Sequence, residues 1–325
     1  MSLTINHQLN DIINSTGTIT INGVAAGGDN SPMPFLGDRG LFGGGGGGGD
    51  SNVIDYVAIP TPGNATDFGD LILASSQRAA FSGDNSSKGL FAGGFGAGSN
   101  SAAIDVVTIS TPGNGTDFGD LLAAARSLAA CSNGPRGVIG GGYTSVYQDV
   151  IQYVTIASAG NATDFGDLLA VNAYLSSCSS DVRGLFVGGR DQFNNKYNVI
   201  QYITIATTGN ATDFGDLTAV KVDLAACSNG TRGVIAGGNN GSNDLNVIEY
   251  VTIASTGNAT DFGDLTAARQ HLSACANDTR GVFAGGGYGS ISNVIDYITI
   301  DTVGNATDFG DLTVARADST SCSGT

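Results

Sequence analysis

Five cysteines, two histidines and a repeated Asp-Phe-Gly string are the residues whose types could do chemistry in this chain. Cys131, Cys178, Cys227, Cys275 and Cys322 each lie eleven residues after the last Asp of a recurring motif, and Phe81 takes the sixth equivalent place. A thiol can serve as nucleophile, metal ligand or half of a disulfide. One thiol per repeat puts the sulfurs on separate equivalent strands, whereas a disulfide needs Cα atoms within about 7 Å. The odd number and the Phe replacement point to a small buried apolar position instead.

Asp-Phe-Gly, as at Asp67-Phe68-Gly69 and Asp164-Phe165-Gly166, occurs six times. The string can hold Mg²⁺ beside a nucleotide, but the glycine loop, strand lysine and catalytic-loop signatures that go with that chemistry are absent. Paired aspartates such as Asp213 and Asp216 could ligate Ca²⁺, yet the alternating Asp and Asn with a terminal Glu are missing. Asn-x-Thr strings such as Asn161-Ala162-Thr163 match a glycosylation acceptor; repeated at a turn, they are expected to bond to backbone. The glycine run from Gly43 to Gly49 has no Gly-Lys-Ser/Thr or strand–helix context and reads as a loop. His7 and His271 are too few for a copper site or a nucleophile relay, and no Trp is present to stack a cofactor. The residues therefore predict no catalysis, no cofactor and no metal.

The elements that carry these residues are set by a repeat. Gly-Asn-Ala-Thr-Asp-Phe-Gly-Asp-Leu begins at Gly63, Gly160, Gly209, Gly257 and Gly304, and at Gly113 with Gly115 in place of Ala. Each unit of about 48 residues divides into four short strands: an apolar stretch ending in glycines, a β-branched stretch such as Val294–Ile300, a segment through Phe309 and Leu312, and one from Arg269 to Cys275. A four-stranded sheet of this size buries neither face alone, while six arranged radially shelter each other. The expected fold is all-β: a six-bladed β-propeller over 39–325, its ring closed by the C-terminal segment from about Val314 to Ser323. Phe35-Leu36-Gly37 is the rival for that closing position.

The units resemble kelch repeats. The likeness lies in Val234-Ile235-Ala236-Gly237-Gly238, then Val247-Ile248-Glu249-Tyr250-Val251, then Phe262-Gly263-Asp264-Leu265, then Arg269, and it covers Arg39 to Thr325. The basic residue departs from this scheme at Arg78 and Arg126, and Asn172 replaces it in the third unit. The wording of the repeat also resembles kelch-like virion proteins of marine bacteriophages, especially those of cyanobacteria. That resemblance implies a virion structural component, such as a fibre, tail or other surface-appendage subunit, located in the virion.

Composition narrows the partners. With a net charge of −16 and only 13% charged residues, the chain is a poor match for nucleic-acid phosphates or anionic membranes. No apolar run of about 18 residues occurs and no Sec-type signal is visible in 1–38, so membrane insertion is not expected. Six of the 13 basic residues, Arg39, Lys88, Arg136, Arg183, Arg232 and Arg280, share one repeat position and are expected to cap nearby turns.

Binding is expected on the variable loops between the first two segments of each unit. They carry Phe95, Tyr143, Tyr147, Arg190, Phe193, Tyr197 and Tyr288, aromatic and cationic groups over a rigid scaffold. Residues 1–38 form the other expected contact, a docking segment toward other virion proteins within a larger assembly. A second reading makes the propeller a lectin-like module that recognises host-surface glycans, or a host protein, through the loop residues.

Overall fold

In the computed structural model the described residues are 36–47, 49–287 and 290–325, and every regular element among them is a β-strand. The chain divides into Met1–Ser31 and Pro32–Thr325. Most of the expected docking segment, residues 1–35, lies outside the described residues.

Six four-stranded antiparallel sheets make up the second unit. Blade 1 runs, from the axis outward, Thr320–Gly324, Arg39–Gly43, Val53–Ala58 and Thr66–Asp70. Blade 2 comprises Ala79–Gly83, Lys88–Ala92, Ala103–Thr108 and Thr116–Asp120, and blade 3 Ala129–Ser132, Arg136–Gly140, Val150–Thr155 and Thr163–Asp167. Blades 4, 5 and 6 open with innermost strands Ser176–Ser179, Ala225–Ser228 and Ser273–Ala276. The ring is a six-bladed propeller, and the C-terminal strand closes it: Thr320 pairs with Gly43 and Gly324 with Arg39. Closure leaves the first and last units without a free end. Leu36, the rival residue, lines the axial cavity beside the thiols instead.

The innermost strands are shorter than expected. Ser273–Ala276 replaces the anticipated Arg269–Cys275, because His271 takes a left-handed backbone conformation (φ 58°) that a strand cannot include.

Burial follows the residue types. The second strand of each blade is sealed along almost its whole length, and the third is buried at its second, third and fifth residues. The apolar side chains collect in six clusters, each spanning two neighbouring blades; Leu41, Ile54 and Phe68 of blade 1 pack with Phe91, Val107 and Ile109 of blade 2. No sheet buries a core alone, which is why the blades hold together only as a ring.

The repeated motif is the clasp between blades. In blade 1, Ile54 pairs with Gly69 and Asp55 with Asp67, so Phe68 is the extra residue of a β-bulge. The bulge turns that phenylalanine inward against Tyr56, edge to face at 6.1 Å. Gly69 sits at φ 143°, and a Cβ there would lie 2.5 Å from the Gly113 carbonyl oxygen of blade 2. Asn114 Oδ1 accepts from the Asp70 amide at 3.1 Å, and the Gly115 amide donates to the Asp70 carbonyl at 2.7 Å. The same asparagine bond recurs at Asn161, Asn210, Asn258, Asn305 and Asn64. Each turn therefore covers the outer edge of the preceding blade, and the sequon asparagines bond to backbone as expected.

Candidate functional site

The thiols are structural. All five cysteines are free and buried, and burial pushes Cys178 and Cys322 up to about 12. Each packs on the blade that follows. A Cβ on Gly184 would lie 2.6 Å from Cys131 Sγ, and Gly233, Gly281, Gly40 and Gly89 meet Cys178, Cys227, Cys275 and Cys322 in the same way. Phe81 fills the sixth place over Gly137. The glycine after each ring cation is thus the socket for the neighbour's sulfur or, at Gly137, for its phenyl ring.

The cation ring caps turns, as expected. Arg39 donates to the Ile109 carbonyl at 2.8 Å, Arg136 to Ile205 at 3.0 Å and Arg232 to Ile300 at 2.8 Å, always on the next blade. Lys88, Arg183 and Arg280 do likewise toward Ile156, Ile253 and Ile59. Five of these arginines also lie over the tyrosine of their own blade, at 4.2–4.8 Å.

A second set of polar groups is fully buried. The third strands carry Asp55, Asp105, Gln152, Gln201, Glu249 and Asp296, and each accepts from a backbone amide of the preceding blade's connection. The four carboxylates pair with Arg316, Arg78, Lys221 and Arg269. Arg78 stands three repeat positions later than Arg269, yet reaches the same acid and the corresponding carbonyls. The two glutamines stand where the corresponding connections hold Ala125 and Asn172, with no cation there. Charge is balanced at all six places.

The axial mouth is different in kind. Gln77, Ser127, Tyr174, Asp223, His271 and Asp318 occupy one position, just before each innermost strand, with φ between 54° and 61°. Each amide donates to the carbonyl of the preceding residue in the ring, at 2.8–3.1 Å, and the circle closes from Gln77 to Asp318. Six non-glycine residues thus hold a conformation that costs roughly 1–2 kcal/mol each. Their side chains line a cavity of about 170 Å³. Tyr174 stacks under Arg190 at 4.3 Å.

On one side of the mouth, His271 Nδ1 lies 2.8 Å from Asp318 Oδ1 and 3.3 Å from Asp223 Oδ1. Burial pushes the Asp223 carboxyl up to about 6, with Asp318 adding to the rise and His271 opposing it. Burial disfavours the imidazolium, but the Asp318 hydrogen bond and the charges of Asp223, Asp318 and Asp244 outweigh it and raise His271. Among the described residues no hydroxyl or thiol hydrogen-bonds the other imidazole nitrogen.

The sequence-predicted loop residues fall into separate groups. Arg126 lies over Phe95 at 4.5 Å and over Tyr143 at 5.0 Å, and Tyr143 meets Tyr147 edge to face at 5.5 Å. Asn100 Nδ2 ties this group together through the Tyr143 and Thr144 carbonyls. Arg190 belongs to the mouth through Tyr174, and Tyr197 bonds to Asp191. The Phe193 amide also donates to Asp191, at 2.9 Å, and the residue is 76% exposed. Tyr288 lies outside the described residues.

No family model matches the chain, and a search of curated proteins finds no match. The axial triad escaped the reading by motif. Its signal was positional: the sixth residue after the final Leu of each repeat motif is polar or aromatic, and the six units use five residue types there.

Proposed function

We propose that this chain is a non-enzymatic scaffold that displays one variable face, working as a structural subunit of a virion. One observation carries the scaffold reading. The repeated groups that could do chemistry, namely thiols, Asp-Phe-Gly glycines, sequon asparagines and ring cations, are all engaged in contacts between blades. What remains free to meet a partner is the face of the mouth and the variable loops. The virion placement, in a fibre, tail or other appendage, rests on the resemblance of the repeat wording to kelch-like phage proteins. In this reading residues 1–38 dock to other virion proteins.

Cryo-electron microscopy of purified particles tests the proposal. The expected result is a six-bladed ring at a fixed particle site, with particles lacking the ring when residues 1–38 are deleted. Particles without the chain, or incorporation unchanged by that deletion, would overturn it.

A second reading, host-glycan or host-protein recognition, is favoured by Phe193, an exposed aromatic of the kind that stacks on sugar rings. Glycan-array binding that disappears in Phe193→Ala and Tyr143→Ala supports it; an array without binding removes it.

A further inference from the structure

We propose that Asp223, His271 and Asp318 bind one divalent transition-metal ion, of the zinc, cobalt or manganese type, at the mouth of the axial channel. The inference stands apart from the virion reading and needs only the propeller geometry.

The donor set is chemically apt. One imidazole nitrogen and two carboxylate oxygens suit a borderline divalent ion better than Ca²⁺ or Mg²⁺, which prefer oxygen alone. Among the described residues this is the one group of three or more ligand-type side chains with atoms this close, all within 4.8 Å of one another. Bonds of about 2.0–2.2 Å to a shared ion put neighbouring ligand atoms roughly 3 Å apart. The separations of 2.8 and 3.3 Å from Nδ1 already have that value. The remaining edge, between the two carboxylates, is no longer than 4.8 Å.

Charge and position agree with the chemistry. With a neutral imidazole the cluster carries two negative charges, which a dication neutralises. The ion takes the Nδ1 lone pair, so binding selects the neutral tautomer with its proton on Nε2; an imidazolium reaches that form by releasing its Nδ1 proton to solvent. Arg190 and Lys196 act against the ion through Asp223, and Asp244 acts for it through His271. The three side chains come from consecutive connections whose backbones are locked in the hydrogen-bonded ring, so the ligands are held before any ion arrives. They are partly open, at 11%, 18% and 28% exposure, which leaves an entry path and room for water ligands in the cavity.

The test uses the full, untagged chain, stripped with a chelator and dialysed. Titration with Zn²⁺ by calorimetry is expected to show one ion per chain. Binding should weaken roughly 100-fold or more in His271→Gln and in Asp318→Asn, since even outer-shell changes cost 10–100-fold. His7→Gln should leave it unchanged. Because the chain has two histidines, ¹⁵N-imidazole spectra of the wild-type protein report Nδ1 ligation directly, even if a variant fails to fold. No binding, binding that survives both substitutions, or ligation at His7 alone would overturn the proposal.

Discussion

The two ends of the propeller axis are built from the same six strands and follow opposite rules. At the thiol end the residues hardly vary: five cysteines and one phenylalanine sit in glycine sockets, and the hydroxyls of Ser132, Ser179 and Ser228 each donate to the carbonyl of the preceding blade. At the mouth the backbone repeats, with one φ and one hydrogen bond per blade, while the six side chains include five residue types. Uniform side chains mark positions used by neighbouring blades; a uniform backbone with divergent side chains marks a place where the scaffold presents groups outward. Between the two ends lies a third kind of position, the buried acid or glutamine of each third strand, where the wording varies and the charge balance does not.

That intermediate position gives the largest expected effect. Arg316→Ala leaves Asp55 buried, at 0% exposure, without its cation. Removing one partner of a buried ion pair costs about 3–5 kcal/mol, read as a fall in the denaturation midpoint. Adding Asp55→Gln should recover most of the loss, because blade 3 already works with Gln152 and Ala125 at these places. A double variant as unstable as the single one would mean that the units are not interchangeable solutions.

The uniform end is broken by filling a socket. Gly184→Ala places a Cβ 2.6 Å from Cys131 Sγ, and overpacking of this kind costs about 1–3 kcal/mol. Cys131→Ala in the same chain should relieve it. In the wild-type protein a thiol reagent at pH 8 should label none of the five cysteines until denaturant is added, since burial holds the thiols protonated. Rapid labelling of the native chain would refute the sealed, structural role of this end.

Blade number, strand order and closure were legible in the sequence because a 48-residue period and turn residues determine them. The cysteine role was legible too, from Phe81 in the sixth place. Three things were not. The Asp-Phe-Gly bulge needs the pairing register, which periodicity does not supply. The Arg78–Asp105 pair hides because Arg78 reaches its acid from a shifted position, so aligned repeats place Ser75 there. The mouth triad joins residues from three units, and variation within a repeat reads as drift until the backbone ring shows that all six residues share one address.

The smallest expected effect sharpens the rule of interchangeable units. The buried carboxylates of blades 1 and 6 are completed by the threonine after the preceding blade's motif: Thr313 Oγ1 donates to Asp55 Oδ1 and Thr266 Oγ1 to Asp296 Oδ1, both at 2.6 Å. At blade 2 the connection arriving from blade 1 has Ile72 at that position, 57% exposed, and Asp105 Oδ1 is buried without a partner. Ile72→Thr transplants the missing hydroxyl. A hydrogen bond to a charged acceptor contributes about 1.5–3 kcal/mol, and the lost contacts of a half-exposed isoleucine offset part of it. The net gain should be about 1 kcal/mol, visible as a melting point a few degrees higher. Ile72→Ser should recover less, because its hydroxyl is freer to rotate than that of the β-branched threonine, and Ile72→Val should gain nothing, because the benefit belongs to the hydroxyl. An equal gain from valine would assign the effect to surface hydrophobicity and remove Asp105 from the account.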